Sequence, residues 1–210
     1  MGNPVNEYRK TAKRIKKSFA IASFCLLLPF LLPVLSPADE LATLFADVEK
    51  LNIGRYGYTL GKVLSKEQKK TAVSSAVKSP SPGTYKFKDK NLYVVAHESS
   101  DRVLIIYEQY NPASQEKIRD MTGALFLAFG DPTVMAHDKI VYWVYGEKGK
   151  ISREQYQQNN KKKKRSIILA TVKLNSSESI LEKGAEVKDG SVYYVISSEP
   201  VLKLTGKPAD

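Results

Sequence analysis

The spacing of hydrophobic positions changes along the chain, and each spacing predicts a different kind of element. Residues 18–35 contain no charge, which matches the lower end of the length needed for a membrane-spanning helix. Residues 37–51 repeat apolar side chains at intervals of three and four, which predicts an amphipathic helix. Beyond residue 84, short runs rich in β-branched and aromatic residues are typical of strands. The pattern therefore predicts a membrane segment followed by a folded domain.

The predicted amphipathic helix carries one apolar stripe, which is a candidate docking surface. Its members are Leu41, Leu44, Phe45, Val48 and Leu51. The stripe either packs on its own domain, as most amphipathic helices do, or docks on a second membrane protein. A second helix is predicted from 59 to 76, so that 37–76 forms a membrane-proximal helical segment. A Ser/Pro-rich linker at 77–83 separates it from the main domain.

The main domain, 84–210, is predicted to contain strands on both sides of one long helix. The predicted strands cover 85–87, 91–97, 102–110, 139–145, 166–174, 191–197 and 201–204. This order lacks the regular strand–helix alternation of a parallel sheet. We therefore expect an α+β fold, an antiparallel sheet with helices packed on one face. The strand at 102–110 is apolar on both faces and is expected to be central.

The long helix is predicted to begin at Asn111 and Pro112 and to end before Gly130. Its apolar residues suggest an end that is deeply buried against the sheet. The residues on this surface are Ile118, Met121, Leu125, Phe126, Leu127, Ala128 and Phe129. A short helix is also predicted from 177 to 183.

Charge next to the membrane segment predicts its orientation. Residues 1–17 carry six basic side chains against one acidic side chain, while Asp39 and Glu40 follow the segment. Because basic flanks stay in the cytoplasm, we expect a cytoplasmic tail at 1–17 and a single-pass anchor at 18–35. The domain would then lie on the periplasmic side of the inner membrane. The alternative is a signal peptide cleaved after Ala38, since small residues precede that bond.

The net charge of +11 is concentrated in two short stretches of the chain. One is the N-terminal tail, and the other lies at the end of a long predicted loop at 147–165. Within this loop, Ser152 is expected to cap a short helix that runs to Gln158. The second stretch is a candidate contact for a partner or an anion. It consists of Lys161, Lys162, Lys163, Lys164 and Arg165. Basic residues confined in this way do not favour nucleic-acid binding.

The sequence contains few residues that point to catalysis. It has no GxSxG, phosphate-loop, dinucleotide-binding or HExxH motif, and its single cysteine, Cys25, lies within the hydrophobic run. The pair His137–Asp138 is expected in a surface turn, and His97 at the end of a strand. We therefore expect no catalytic residue, no cofactor and no metal.

The strands rich in aromatic residues are a further candidate contact. Tyr142, Trp143 and Tyr145 lie on one predicted strand, and Tyr193 and Tyr194 on another. Because side chains alternate across a sheet, each strand presents rings to both faces. The sequence does not decide whether the outward rings are covered.

These features together favour a membrane-anchored, non-catalytic envelope protein. Its extracytoplasmic domain is expected to bind a partner protein, for example as an accessory subunit of a membrane complex. The first alternative is a module that binds anionic lipid or a polyanion through the basic loop. The second is an exported enzyme that uses His137 and Asp138.

Overall fold

The computed structural model describes residues 37–79, 81–161, 168–180 and 189–205. All of these belong to one compact unit. The predicted cytoplasmic tail and the predicted anchor at 18–35 lie outside the described residues. Within the described ranges, no helix has the length and apolar character needed to cross a membrane.

The described residues form five helices and eleven strands. The helices are α1 (Pro37–Lys50), α2 (Lys66–Ser74), α3 (Gln115–Phe129), α4 (Arg153–Lys161) and α5 (Glu199–Thr205). The strands are β1 (Gly54–Arg55), β2 (Tyr58–Thr59), β3 (Ala76–Val77), β4 (Thr84–Asp89), β5 (Leu92–His97), β6 (Val103–Ala113), β7 (Val134–Ala136), β8 (Ile140–Gly146), β9 (Gly149–Lys150), β10 (Ala170–Ser176) and β11 (Gly190–Ser197).

One antiparallel sheet organises the fold. Its strand order is β3-β4-β5-β6-β11-β10-β8-β7, and β9 also pairs with β8. Strands β1 and β2 form a separate hairpin. The prediction of an α+β fold with an antiparallel sheet is confirmed. The strand expected to be central, β6, lies between β5 and β11.

The core is built on inward-facing side chains that lie opposite one another across six strands. One such row is fully buried and consists of Phe87, Val94, Ile106, Ile196, Val172 and Trp143. Buried residues of α1, α2, α3 and α5 belong to the same hydrophobic cluster. The segment at 37–76 therefore shares the core of the domain that the sequence placed at 84–210.

Helix α2 begins seven residues later than predicted. Residues Tyr58, Leu60 and Leu64 are buried in the core as part of a hairpin and loop, so the chain is not helical there. Ser65 caps the helix, because its Oγ accepts the Gln68 N–H at 3.2 Å. The Gln68 Oε1 accepts the Ser65 N–H at 2.9 Å, which completes a capping box.

The predicted start of the long helix at Asn111 is also wrong. Strand β6 continues to Ala113, which pairs with Gly190, and Ser114 caps α3 by accepting the Lys117 N–H at 3.2 Å. The far end of the helix is less buried than predicted, since Leu127 is 90% exposed. Leu127 is two residues from the fully buried Leu125, and a two-residue step leads to the opposite side of a helix.

Two further segments differ from the prediction. The strand predicted at 201–204 is part of α5, whose first turn contains Glu199 and Pro200. Proline is tolerated there, because the N–H that it lacks would have no partner within the helix. Within the segment predicted as a linker, Val77 pairs with Lys86, so the edge strand β3 extends into it.

Candidate functional site

The outward face of the sheet carries tyrosine and lysine side chains. We call this surface the tyrosine–lysine face, and it consists of Lys86, Lys88, Tyr93, Tyr107, Tyr142, Lys173 and Tyr193. Lys88 is exposed and the other six are half-buried. They alternate along their strands with the buried core residues, which places them on the opposite side of the sheet.

The tyrosine–lysine face is continuous across six strands. Pairing register places Lys88, Tyr93, Tyr107, Val195, Lys173 and Tyr142 opposite one another in one row. Since neighbouring strands lie about 4.8 Å apart, the row is about 24 Å long. This length is suitable for a macromolecular contact.

Rings and ammonium groups contact one another along this row. The Tyr93 and Tyr107 rings stack, with centroids 4.8 Å apart and planes 11° from parallel. The Nζ atoms of Lys86 and Lys88 lie 5.7 and 5.3 Å from the Tyr93 centroid. The Lys173 Nζ lies 5.3 Å from the Tyr142 centroid. These cation–π contacts hold the positive charge close to the rings.

No acidic side chain projects from this face among the described strands that form it. Their two carboxylates, Asp89 and Glu108, both point to the core side. Asp89 accepts the Tyr58 hydroxyl at 2.9 Å, and Glu108 accepts the Tyr110 hydroxyl at 2.5 Å. The row of tyrosines and lysines on the outward face therefore carries positive charge without a carboxylate from these strands.

The structure also shows which aromatic side chains of β8 and β11 lie on each face of the sheet. Trp143 and Tyr194 are fully buried, and Tyr145 is 9% exposed. Tyr142 and Tyr193 lie on the outward face, where the Tyr193 hydroxyl accepts the Asn175 Nδ2 at 3.0 Å. The alternation expected from the sequence is confirmed for these five residues.

The predicted basic loop begins as the sequence indicated. Ser152 and Gln155 form the expected capping box, with hydrogen bonds of 3.1 and 3.2 Å, and α4 follows. Thr133 fixes the start of the loop, because its Oγ1 donates to the Ile151 carbonyl at 2.7 Å. A cleft of about 480 Å³ lies between α4 and the turn before β9. Lys161 ends α4 and is exposed, while residues 162–165 lie outside the described part of the chain.

The apolar stripe on α1 contacts the protein's own core. Phe45 and Val48 are buried, and Leu41, Leu44 and Leu51 are half-buried against the core cluster. This agrees with the first of the two interpretations given above. A docking role for the helix stays a prediction, and a partner would reach only the half-buried members.

The two histidines lie apart. His137 is an exposed turn residue with φ of 53° between β7 and β8. The Nδ1 atom of His97 lies 2.9 Å from the Ser100 hydroxyl, and its ring centroid lies 6.1 Å from that of Phe45. Within the described ranges, no group of three histidine, cysteine or acidic residues is arranged to hold a metal ion.

A polar cluster on the core side of the sheet was not predicted from the sequence. It brings together Arg55, Glu108, Tyr110, Lys117 and Tyr194 from four different elements. Glu108 and Tyr194 are opposite each other on β6 and β11, and both are buried. The available signal was Glu108, since it lies two residues from the buried Ile106 and therefore on the same face of the strand.

Burial and neighbouring charges shift the pKa values of three groups in this cluster. Burial raises the pKa of Tyr194 well above its usual range. The positive charge of Arg55 opposes this effect, while the charge of Glu108 and the interaction of its carboxylate with the Tyr194 hydroxyl add to it. Burial, followed by the hydrogen bond to Glu108, also raises the pKa of Tyr110. Contact with Tyr110 raises the pKa of Lys117. Both phenols are therefore protonated at neutral pH.

The two tyrosines of the cluster are expected to respond differently to removal of the hydroxyl group. Tyr110→Phe should lower the free energy of unfolding by about 1.5–3 kcal/mol, because Glu108 loses its hydrogen-bond donor. Tyr194→Phe should leave stability unchanged or raise it, because the Tyr194 Oη has no hydrogen-bond partner among the described residues. Urea denaturation of both variants tests this, and equal losses would contradict it.

Comparison of the chain with protein-family models, with curated proteins and with solved structures finds no match.

Proposed function

We propose that this chain is a membrane-anchored, non-catalytic envelope protein that binds an acidic partner protein through the tyrosine–lysine face. The observation that supports this proposal is an outward row of rings and ammonium groups, interrupted at Val195, on strands whose carboxylates both point inward. The anchor is the uncharged segment at 18–35, with its basic flank in the cytoplasm.

The chemistry of the face is suited to a protein partner. Tyrosine is enriched at protein interfaces, since its ring supplies a large contact area and its hydroxyl group hydrogen-bonds. Tyr93 and Tyr107 are already stacked, so binding would immobilise few additional rotamers. Three lysines that form no ion pair within the described residues favour an acidic surface and disfavour a basic one.

We also propose that the helices pack on the core side of the sheet, which would leave the tyrosine–lysine face for the partner. A stably bound partner would make the protein an accessory subunit of a membrane complex. The basic run from Lys161 to Arg165 would act as a second contact with negative charge.

Charge reversal on the face is the direct test. The triple variant Lys86→Glu, Lys88→Glu, Lys173→Glu should reduce co-purification of the partner at least tenfold, because like charges then oppose each other across the interface. Tagged full-length protein would be extracted from native membranes in mild detergent. Bound chains would then be quantified by mass spectrometry.

The matched control makes the same change of charge elsewhere. Lys62, Lys66 and Lys70 are exposed on α2 and the loop before it, and their reversal to Glu should leave co-purification unchanged. Equal recovery of the partner with both triple variants would rule out the face as the contact. Absence of any stoichiometric partner from the wild-type sample would overturn the proposed function. Binding to anionic vesicles that depends on residues 161–165 would support the lipid alternative instead.

A further inference from the structure

Arg55 is held by two aromatic rings on the core side of the sheet. Its Cζ lies 4.7 Å from the centroid of the Tyr56 ring and 5.2 Å from that of Tyr194. Its Nη2 donates to the Tyr56 hydroxyl at 3.2 Å. The guanidinium group is therefore fixed in position by ring contacts, although no carboxylate lies within ion-pair distance of it among the described residues.

Two donors in this cluster have no acceptor at hydrogen-bond distance and angle among the described residues, although the Glu108 carboxylate lies close enough to the Tyr194 hydroxyl to raise its pKa. The Arg55 Nε and the Tyr194 Oη are both buried and lack any hydrogen-bond partner among the described residues. Tyr194 itself is fully buried. Because almost all buried polar atoms in proteins are paired, two orphan donors in one cluster point to an acceptor supplied from outside the chain.

The charge of the cluster favours a negatively charged acceptor. The Lys117 Nζ lies 4.0 Å from the Tyr110 ring centroid and, like Arg55, takes part in no described ion pair. The carboxylate of Glu108 is engaged by the Tyr110 hydroxyl. Two cations and one carboxylate leave an excess of one positive charge.

Tyr56 covers the cluster from the solvent side. Its side chain is 66% exposed, while the neighbouring Arg55 is half-buried. Tyr56 has a φ of 51° and Gly57 a φ of 88°, in the two-residue turn that joins β1 to β2. A bulky residue rarely adopts this left-handed conformation, so the backbone of the turn is strained at Tyr56. In this conformation the Tyr56 ring lies over Arg55.

We propose that this cluster is a binding site for a single oxyanion group, either a carboxylate or a phosphate. The oxyanion accepts hydrogen bonds from the Arg55 Nε and the Tyr194 hydroxyl, and Lys117 supplies the second positive charge. The Tyr56 ring moves aside to admit it. The site is separate from the tyrosine–lysine face, because Tyr194 points to the opposite side of the sheet, and it does not depend on the proposed partner.

The test follows the Arg55 Nε–H directly by NMR. Isotope-labelled full-length protein in non-ionic detergent would be titrated with sodium phosphate and, separately, with sodium acetate, at constant ionic strength. The chain has seven arginines, and the Arg55 resonance is identified by its loss in Arg55→Lys. We expect a saturable shift of this resonance at anion concentrations that leave the resonances of the exposed Arg119 and Arg153 unchanged.

Three variants separate binding from folding. Tyr194→Phe keeps the fold and should weaken anion binding at least threefold, and Lys117→Gln should do the same. Arg119→Lys alters an exposed arginine on α3 and should leave binding unchanged. The triple charge reversal of the tyrosine–lysine face should also leave it unchanged, so that this site and the proposed function are tested independently.

Each outcome of the titration is decisive. Saturation by phosphate alone supports the site and assigns a phosphoryl ligand, while saturation by acetate supports it and assigns a carboxylate. An Arg55 resonance that responds to neither ion would overturn the proposal. Undiminished binding by Tyr194→Phe would overturn it as well, because the orphan hydroxyl would then have no part in recognition.

Discussion

Replacing Trp143 with alanine is expected to lower the free energy of unfolding by about 3–5 kcal/mol. The side chain is fully buried in the row of core residues that crosses the sheet. Its ring centroid lies 5.5 Å from that of Phe126 and 5.9 Å from that of Phe129. Alanine would remove these contacts between α3 and β8 and leave a cavity, and the neighbouring structure would relax only partly into it.

The indole group also stabilises the end of α3. Its Nε1 donates to the Gly130 carbonyl at 2.7 Å, just beyond the last residue of the helix. Trp143→Phe retains much of the buried ring but loses this bond. We therefore expect a smaller loss from phenylalanine than from alanine.

The experiment is urea denaturation of full-length protein in non-ionic detergent. Trp143 is the single tryptophan of the chain, so the transition should be followed by far-ultraviolet circular dichroism and not by tryptophan fluorescence. The matched control is Tyr142→Ala, which changes the adjacent, half-exposed ring on the outward face. Losses of equal size at the two positions would contradict the assignment of inward and outward faces.

Replacing Thr133 with valine is expected to lower stability by about 2 kcal/mol and to loosen the basic loop. Thr133 is 1% exposed, and valine has nearly the same shape. The threonine Oγ1 donates to the Ile151 carbonyl at 2.7 Å and accepts the Val144 N–H at 3.1 Å. Valine leaves both backbone groups without this partner, and the cost of unpaired buried groups accounts for the loss.

The effect of Thr133→Val on dynamics should be local. Ile151 still donates its N–H to the Val144 carbonyl at 2.8 Å, and β9 stays paired with β8. Amide hydrogen exchange should become faster at Ile151 and in the first turn of α4, with little change in β6 or β11. Uniform acceleration over the whole sheet would contradict this expectation.

Thr122 provides a control for the same substitution. It is buried on α3, and its Oγ1 donates at 2.7 Å to the Ile118 carbonyl, which lies four residues earlier. That carbonyl is also the acceptor of the helical N–H of Thr122, so valine leaves it paired. Thr122→Val should therefore cost clearly less than Thr133→Val.

Local signals in the sequence predicted several elements well. The capping box at Ser152 and Gln155 needs only a four-residue window, and α4 begins where that pattern places it. The continuous apolar run at 102–110 predicted a central strand, because such runs are typical of strands inside a sheet, and β6 lies between β5 and β11. Both predictions depend on a pattern within a short stretch of the chain.

Predictions failed where distant residues decide the conformation. Asn111 and Pro112 resemble a helix start, but Ala113 pairs with Gly190, and this pairing extends β6 past the proline. Residues 201–204 are mostly apolar and were predicted as a strand, yet Val201 is buried as part of helix α5. In both places a tertiary contact outweighs a weak local preference.

The sequence by itself determined the antiparallel α+β class, the alternation of aromatic residues and the position of the charged stretches, because these depend on periodicity and composition. Only the tertiary structure decided that five strands align outward tyrosines and lysines in one row across the sheet, since strand register is set by long-range pairing. It also brought Arg55 to Tyr194, 139 positions away in the chain, with two donors unpaired. No local sequence pattern predicts this contact, because it arises from the packing of a hairpin against a sheet formed by later residues.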